Sequence, residues 1–171
     1  SVESAMVPLV GQRRPVTALR FSSDGGHLVT VDLDGTARVW STSGAAFAPP
    51  WGSDPVTAVA FSPDGTSIVA ASRDDTVRVG RTTRTGAEPA PTELGEHRNV
   101  SSATFNADGG WVITTSRDGT IKRWNVHAPG EWMAFGDPAG PQVVAAAAGP
   151  GAGLFMTVSA DEVAHIAQLW D

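Results

Sequence analysis

The sequence predicts an all-β fold made of four tandem repeats, each a four-stranded antiparallel sheet. Two recurring blocks carry that prediction. The first is a turn block: FSSDG at 21–25 returns as FSPDG at 61–65 and FNADG at 105–109, at spacings of 40 and 44 residues. The second follows it at a constant distance: DGTARVW at 34–40 returns as DDTVRVG at 74–80 and DGTIKRW at 118–124. A period of this size marks a chain of stacked supersecondary units rather than one irregular domain.

The third repeat shows how each element is specified. Residues 111–115 (WVITT) are β-branched and aromatic, as a strand prefers. Asp118-Gly119 is a tight hairpin signal, because glycine accepts the positive φ such a turn demands. Residues 121–124 (IKRW) mix apolar and charged residues, read as a strand with one buried face. Taken in order, the first repeat predicts strands near 16–21, 27–31 and 36–40, with 45–49 a poorly specified fourth. The second predicts 56–61, 67–71 and 76–80, followed by a polar, proline-containing connection over 81–91 that leads to Leu94. The third predicts 100–105, 111–115 and 120–125, with a fourth around 132–135. A degenerate fourth repeat predicts 143–148, 154–158 and 163–170, with three extra residues between Asp161 and Trp170. Its QVVAAAA run at 142–148 favours helix by propensity, yet it stands where the other repeats have a first strand. Residues 5–10 are short and apolar, with Pro8 confining them to an edge, and form a candidate closing strand.

These blocks resemble the WD40 repeat family. The resemblance rests on the turn blocks, the DGT-like blocks and the approaches PVTALRF, PVTAVAF and NVSSATF at 15–21, 55–61 and 99–105. It covers nearly the whole chain, with repeats at about 11–50, 51–94, 95–136 and 137–171 of a single region spanning 1–171. It implies WD40-type β-propeller blades, either a partial propeller or half of a ring, and a binding scaffold more often than an enzyme. The repeat style resembles arrays attached to larger bacterial signalling proteins such as NTPases or kinases. Propellers hold about four to eight blades, so three arrangements stay open. The chain is part of a larger propeller, or two copies close an eight-bladed ring as a homodimer with exchanged N-terminal strands, or four blades close alone. A start at Ser1 and an end directly after Trp170-Asp171 predict a piece of something longer.

Composition narrows function. The net charge of −6 argues against a general nucleic-acid or membrane-surface binder, which is usually basic. There is no cysteine, which removes disulfides, thiolate metal sites and a cysteine nucleophile and fits a cytoplasmic protein. No apolar run approaches the roughly 18 residues of a membrane span. His27, His127 and His165 lack metal-ligand spacing, and no cofactor site is expected.

The resemblance also implies a structural blade network: a loop histidine, a Ser or Thr on the second strand, a turn aspartate and the third-strand tryptophan. In the third repeat these match His97, Ser116 (or Thr114), Asp118 and Trp124. The first repeat keeps Asp34 and Trp40 with Gln12 near the histidine position; the second keeps Asp74 alone; the fourth keeps Asp161 and Trp170. Reading His97, Ser116 and Asp118 as a hydrolase triad would need an exposed nucleophile and an oxyanion hole, and no motif signals either. Arg73 and Arg117 precede turn aspartates, and Arg13, Arg14 and Arg98 lead into first strands. In the family both loop types open on one face, so these five arginines form a candidate face for a protein partner; arginine suits carboxylate and phosphate recognition. Arg38, Arg78, Lys122 and Arg123 are expected to be blade-surface charges. Trp132 is open to partner contact, although packing between blades is the ordinary fate of a large aromatic. The expected role is a non-enzymatic scaffold for protein–protein interaction, a sensor or docking portion of a larger signalling protein. The alternative is a small-ligand or enzymatic propeller with a site at the channel mouth.

Overall fold

A computed structural model describes residues 8–42, 46–47, 55–82, 90–136, 142–149, 155–160 and 165–170. The described residues hold four separate antiparallel sheets. Blade one contains β1 (Val16–Phe21), β2 (His27–Asp32), β3 (Ala37–Ser41) and β4 (Ala46–Phe47). Blade two contains β5 (Val56–Phe61), β6 (Ser67–Ser72), β7 (Thr76–Arg81) and β8 (Thr92–Glu96). Blade three contains β9 (Val100–Phe105), β10 (Trp111–Ser116), β11 (Thr120–Asn125) and β12 (Trp132–Gly136). Blade four contains β13 (Gln142–Ala148), β14 (Phe155–Ala160) and β15 (His165–Trp170). Within each sheet the strands pair in sequence order, so each blade is a meander.

The repeats therefore fold as the turn blocks dictate, with two adjustments. Of the expected fourth strand of blade one at 45–49, the described residues are Ala46–Phe47, which pair as β4, and the polar connection in blade two ends in a full strand, β8. That strand runs through Glu96, two residues past the expected repeat limit at 94. The alanine run at 142–148 is a strand, because pairing along β14 overrides helix propensity. The candidate closing strand falls partly outside the described residues; its described part, residues 8–10, carries no strand pairing.

First strands stand side by side, β1 by β5, β5 by β9 and β9 by β13. Alternation along each strand then gives every blade two apolar faces. Val29, Val31, Ala37 and Val39 of blade one meet Val56, Ile68 and Ala70 of blade two. Val69, Ala71, Val77, Val79 and Leu94 on the opposite face of blade two meet Val100, Ala103, Phe105, Val112 and Trp124. Ile113 and Ile121 carry blade three onto Val143. The core thus lies between sheets, as interdigitated side chains of stacked faces.

All four first strands share one irregularity. Each is bulged near its start, at Val16/Ala18, Val56/Ala58 and Val143/Ala145, and opposite Thr115/Ser116 in blade three. The residue passed over is Thr17, Thr57, Ser101 and Val144 respectively. A bulge opens the ladder locally. In three blades the bulged hydroxyl donates to the carbonyl across the gap: Thr17 to Val31, Thr57 to Ala71 and Ser101 to Thr115, each at 3.2 Å. The Ser101 hydroxyl shares its one proton with Val143 O, which lies closer at 2.7 Å and joins blade three to blade four.

Candidate functional site

Blade three holds a continuous polar chain beneath its loops. Trp124 Nε1 donates to Thr114 Oγ1 at 2.8 Å, and His97 Nδ1 lies 2.6 Å from that oxygen. His97 Nε2 lies 2.9 Å from Thr120 Oγ1, whose hydroxyl meets Asp118 Oδ1. The proton positions follow. Burial works to raise Asp118, but the hydroxyl and N–H of Thr120, with Ser116, hold it below the usual carboxylate range. Ionised, it only accepts. Thr120 must therefore donate to Asp118 and accept from His97 Nε2–H. Burial, with Lys122 nearby, holds His97 down at about 4, so its ring is neutral and Nδ1 accepts from Thr114. Every hydroxyl in the chain gives one bond and receives one.

Thr114, rather than Ser116, is the second-strand member. Ser116 donates to Arg98 O at 2.7 Å and accepts from the Asp118 N–H at 3.1 Å, fastening the turn to the loop before β9. Ser116 is fully buried and His97 points away from it, so Ser116, His97 and Asp118 make no triad. Spacing could have found Thr114: it lies ten residues before Trp124, as Thr30 lies ten before Trp40.

Blade one repeats the arrangement with other partners. Trp40 Nε1 donates to Thr30 Oγ1 at 2.9 Å. Gln12 Nε2 donates to the same oxygen and its Oε1 accepts from Arg38 at 2.8 Å. Burial raises Asp32, which shares a hydrogen bond with Asp34; that bond, Thr36 and the Arg14 charge lower Asp34 to about 2. In blade two Asp74 binds the N–H and hydroxyl of Thr76 and pairs with Arg78 at 2.9 Å. Its tryptophan position is Gly80, and ten residues earlier stands Ala70, so both members of the pair are replaced together. Asp161 lies outside the described residues, and Trp170 is described only as part of β15.

Two of the five arginines, Arg73 and Arg117, occupy equivalent places for a backbone reason. Arg73 N donates to Pro55 O at 2.8 Å and Arg117 N to Asn99 O at 3.2 Å, binding each β2–β3-type turn to the loop that enters the first strand. Leu33 N makes the matching bond to Pro15 O at 3.0 Å. Arg13 and Arg14 precede Pro15, and Arg98 precedes Asn99. All five are exposed. Arg98 pairs with Asp75 across blades two and three at 3.9 Å. Arg73 and Arg117 border a groove of about 1140 Å³ whose walls are the first strands β1, β5 and β9. Among the described residues no cluster of His, Asp and Glu has the make-up of a metal site, and no helix is long and apolar enough to cross a membrane.

The third-strand cations are more than surface charges. Arg38 and Arg78 are engaged as above, and Lys122 Nζ donates to Glu96 O at 2.7 Å while lying 4.3 Å over Trp132. Arg123 stacks 4.5 Å over Trp111. Trp132 itself is 48% exposed on the outermost strand, not packed between blades.

The WD domain, G-beta repeat (WD40) pattern matches residues 5–41, 50–79 and 90–125. The chain is 42% identical over 45 residues to "Target of rapamycin complex subunit LST8" of Saccharomyces cerevisiae, 26% of this chain and 15% of that protein. It is 44% identical over 41 residues to "Target of rapamycin complex subunit wat1" of Schizosaccharomyces pombe, 24% of this chain and 13% of that one. Each match thus spans about a seventh of the relative's own length. By their names these relatives are subunits of protein complexes, and the repeat is that of a protein-interaction scaffold. With three matched repeats covering more than half of its length, and four sheets of blade form, the chain belongs to the WD40 family.

Proposed function

We propose that this chain is a non-enzymatic docking module whose arginine-bearing loop face holds an acidic segment of a protein partner. One observation carries the reading: Arg73 and Arg117 sit at equivalent backbone positions of neighbouring blades, at the rim of one groove. A rigid blade lends its loops fixed positions, and a guanidinium matches a carboxylate or phosphate in two directions at once. Arg13, Arg14 and Arg98 extend the same face. Asp34, Asp74 and Asp75 lie on these turns as well, so selectivity comes from where the unpaired guanidinium groups stand rather than from net charge.

The module serves a larger cytoplasmic signalling protein; that the relatives are named as subunits of a complex supports the part of this reading that gives it protein partners. It includes closure of an eight-bladed ring by a homodimer. The docking half is tested by selecting a displayed peptide library on the purified chain and repeating the selection on an Arg73→Glu, Arg117→Glu double variant. Acidic or phosphorylated sequences should be enriched by the first and lost with the second. Enrichment indifferent to charge and to the double variant would overturn the proposal.

A further inference from the structure

The blades leave two faces open at opposite ends of the arc. In β5, Val56, Val59 and Phe61 pack against the preceding blade; in β9, Val100, Ala103 and Phe105 do the same. Pairing register identifies their counterparts in β1. Val16, Leu19 and Phe21 stand opposite Asp32, Thr30 and Leu28. Val56 and Phe61 stand opposite Ser72 and Ile68, and Ala103 opposite Thr114. These β1 side chains are 46%, 46% and 61% exposed. They are interface residues by position with no blade beside them among the described residues.

The other open face is on blade four. Met156 stands opposite Ala147 as Ile113 stands opposite Thr104, and Val158 opposite Ala145 as Thr115 stands opposite Ser102. Ile113 is buried against Val143, whereas Met156 is 42% exposed, and Ala145 and Ala147 are exposed with it.

A third observation concerns the segment before β1. A Cβ placed on Gly11 would lie 3.9 Å from Trp40, and one on Gly95 would lie 2.8 Å from Trp124. Both glycines have positive φ, +133° and +145°. Gly95 belongs to β8, the fourth strand of the blade before Trp124. Gly11 therefore holds the place of a fourth strand from a blade before blade one. Among the described residues, the sheet that lacks a fourth strand is β13–β14–β15.

We infer that the Val16–Leu19–Phe21 face of blade one docks on the Met156–Val158 face of blade four in a second copy of this chain. The contact continues the interface already made three times within the chain, with Met156 and Val158 taking the places that Val29 and Val31 hold against blade two. Among the described residues both faces are open at once. Each copy carries one face of each kind, so two copies related by a two-fold axis cover all four and leave none exposed. The inference rests on the ring-closure part of the proposed function and gives it residues.

The test is the mass of the full 171-residue chain by analytical ultracentrifugation over a dilution series, with Leu19→Asp and Met156→Asp beside it. The wild-type chain should sediment at twice its 17.7 kDa, and each variant at 17.7 kDa with an unchanged far-ultraviolet spectrum. Mixing the two variants should bring back a dimer, because one unaltered interface is restored. A wild-type monomer at every concentration, an open-ended ladder of oligomers, or a dimer indifferent to both substitutions would overturn it. Should one variant not fold, the other alone decides. The two readings fail separately: Met156→Asp, which lies outside the groove, changes mass and keeps acidic-peptide selection, whereas the arginine double variant keeps mass and loses selection.

Discussion

His97 and Trp124 are joined through a single oxygen, the Thr114 hydroxyl, 2.6 Å from one ring nitrogen and 2.8 Å from the other. The two rings lie 6.4 Å apart and tilted by 56°. Thr114 links the loop between β8 and β9 to the tryptophan of β11 in this hydrogen-bonded chain. Its loss should leave two buried polar groups without a partner at once.

Thr114→Val should therefore lower stability by about 2 kcal/mol, the cost of unsatisfied buried groups in a side chain of equal size. Thr114→Ser keeps the hydroxyl and should lose less. Urea denaturation midpoints measure both; equal losses would show that volume, not the hydrogen bond, is what the site needs.

Acid should act first through His97. Its folded value of about 4 lies below the ordinary 6.5, so the unfolded chain takes up that proton first as pH falls. This stabilisation is complete above pH 6.5 and is lost as pH falls toward 4, by as much as ~3 kcal/mol at 1.36 kcal/mol per unit. Lys122 pushes the ring toward neutrality, while Asp118 and Asp75 oppose it. Asp118, held below its ordinary range, adds its own loss at more acid pH. His97→Gln should flatten the stability curve between the two values, as read by thermal melts at fixed ionic strength.

Two tryptophans of blade three should answer alanine substitution differently. Trp124 is fully buried between blades, and Trp124→Ala should cost about 3–5 kcal/mol. Trp132 lies half-exposed under Lys122, and Trp132→Ala should cost about 1 kcal/mol. Equal melting temperatures for the two variants would show the blade interface to be misassigned.

Gly95 and Gly130 separate steric clash from backbone strain. Both have positive φ, but a Cβ on Gly95 meets Trp124 at 2.8 Å and one on Gly130 meets nothing within 4 Å. Gly130→Ala should cost the conformational strain alone, about 1–2 kcal/mol, and Gly95→Ala clearly more. Calorimetry of the two variants gives the difference.

The strands and hairpins of blades one to three were legible because their signals are local: an aspartate-glycine turn, a β-branched run, a period. The equivalence of Arg73 and Arg117 was legible for the same reason, since each precedes a repeating turn aspartate. Thr114 was harder to see because the choice between it and Ser116 depends on which way β10 turns its side chains past a bulge opposite Ser101. Thr120 was hidden by its conventional place after Asp-Gly, where its hydroxyl reads as turn chemistry alone. Strand β8 was obscured by the polar run before it, since only pairing with β7 makes Thr92–Glu96 a strand. Trp132 could not be placed, because its exposure depends on what lies outside β12, the last strand of its sheet.

The hydroxyl-filled bulges have a consequence for how this molecule can change. Each sits near the start of a first strand, just after its entry loop, and its hydroxyl binds the carbonyl across the gap. A change of length or sequence in the loop ends at that knot instead of slipping the strand by a residue and turning its apolar face outward. Loops over Thr17, Thr57 and Ser101 are thus free to be exchanged as cassettes. Blade four, with Val144 at this place, has no such hydroxyl, so grafts there should transmit their misfit into the sheet.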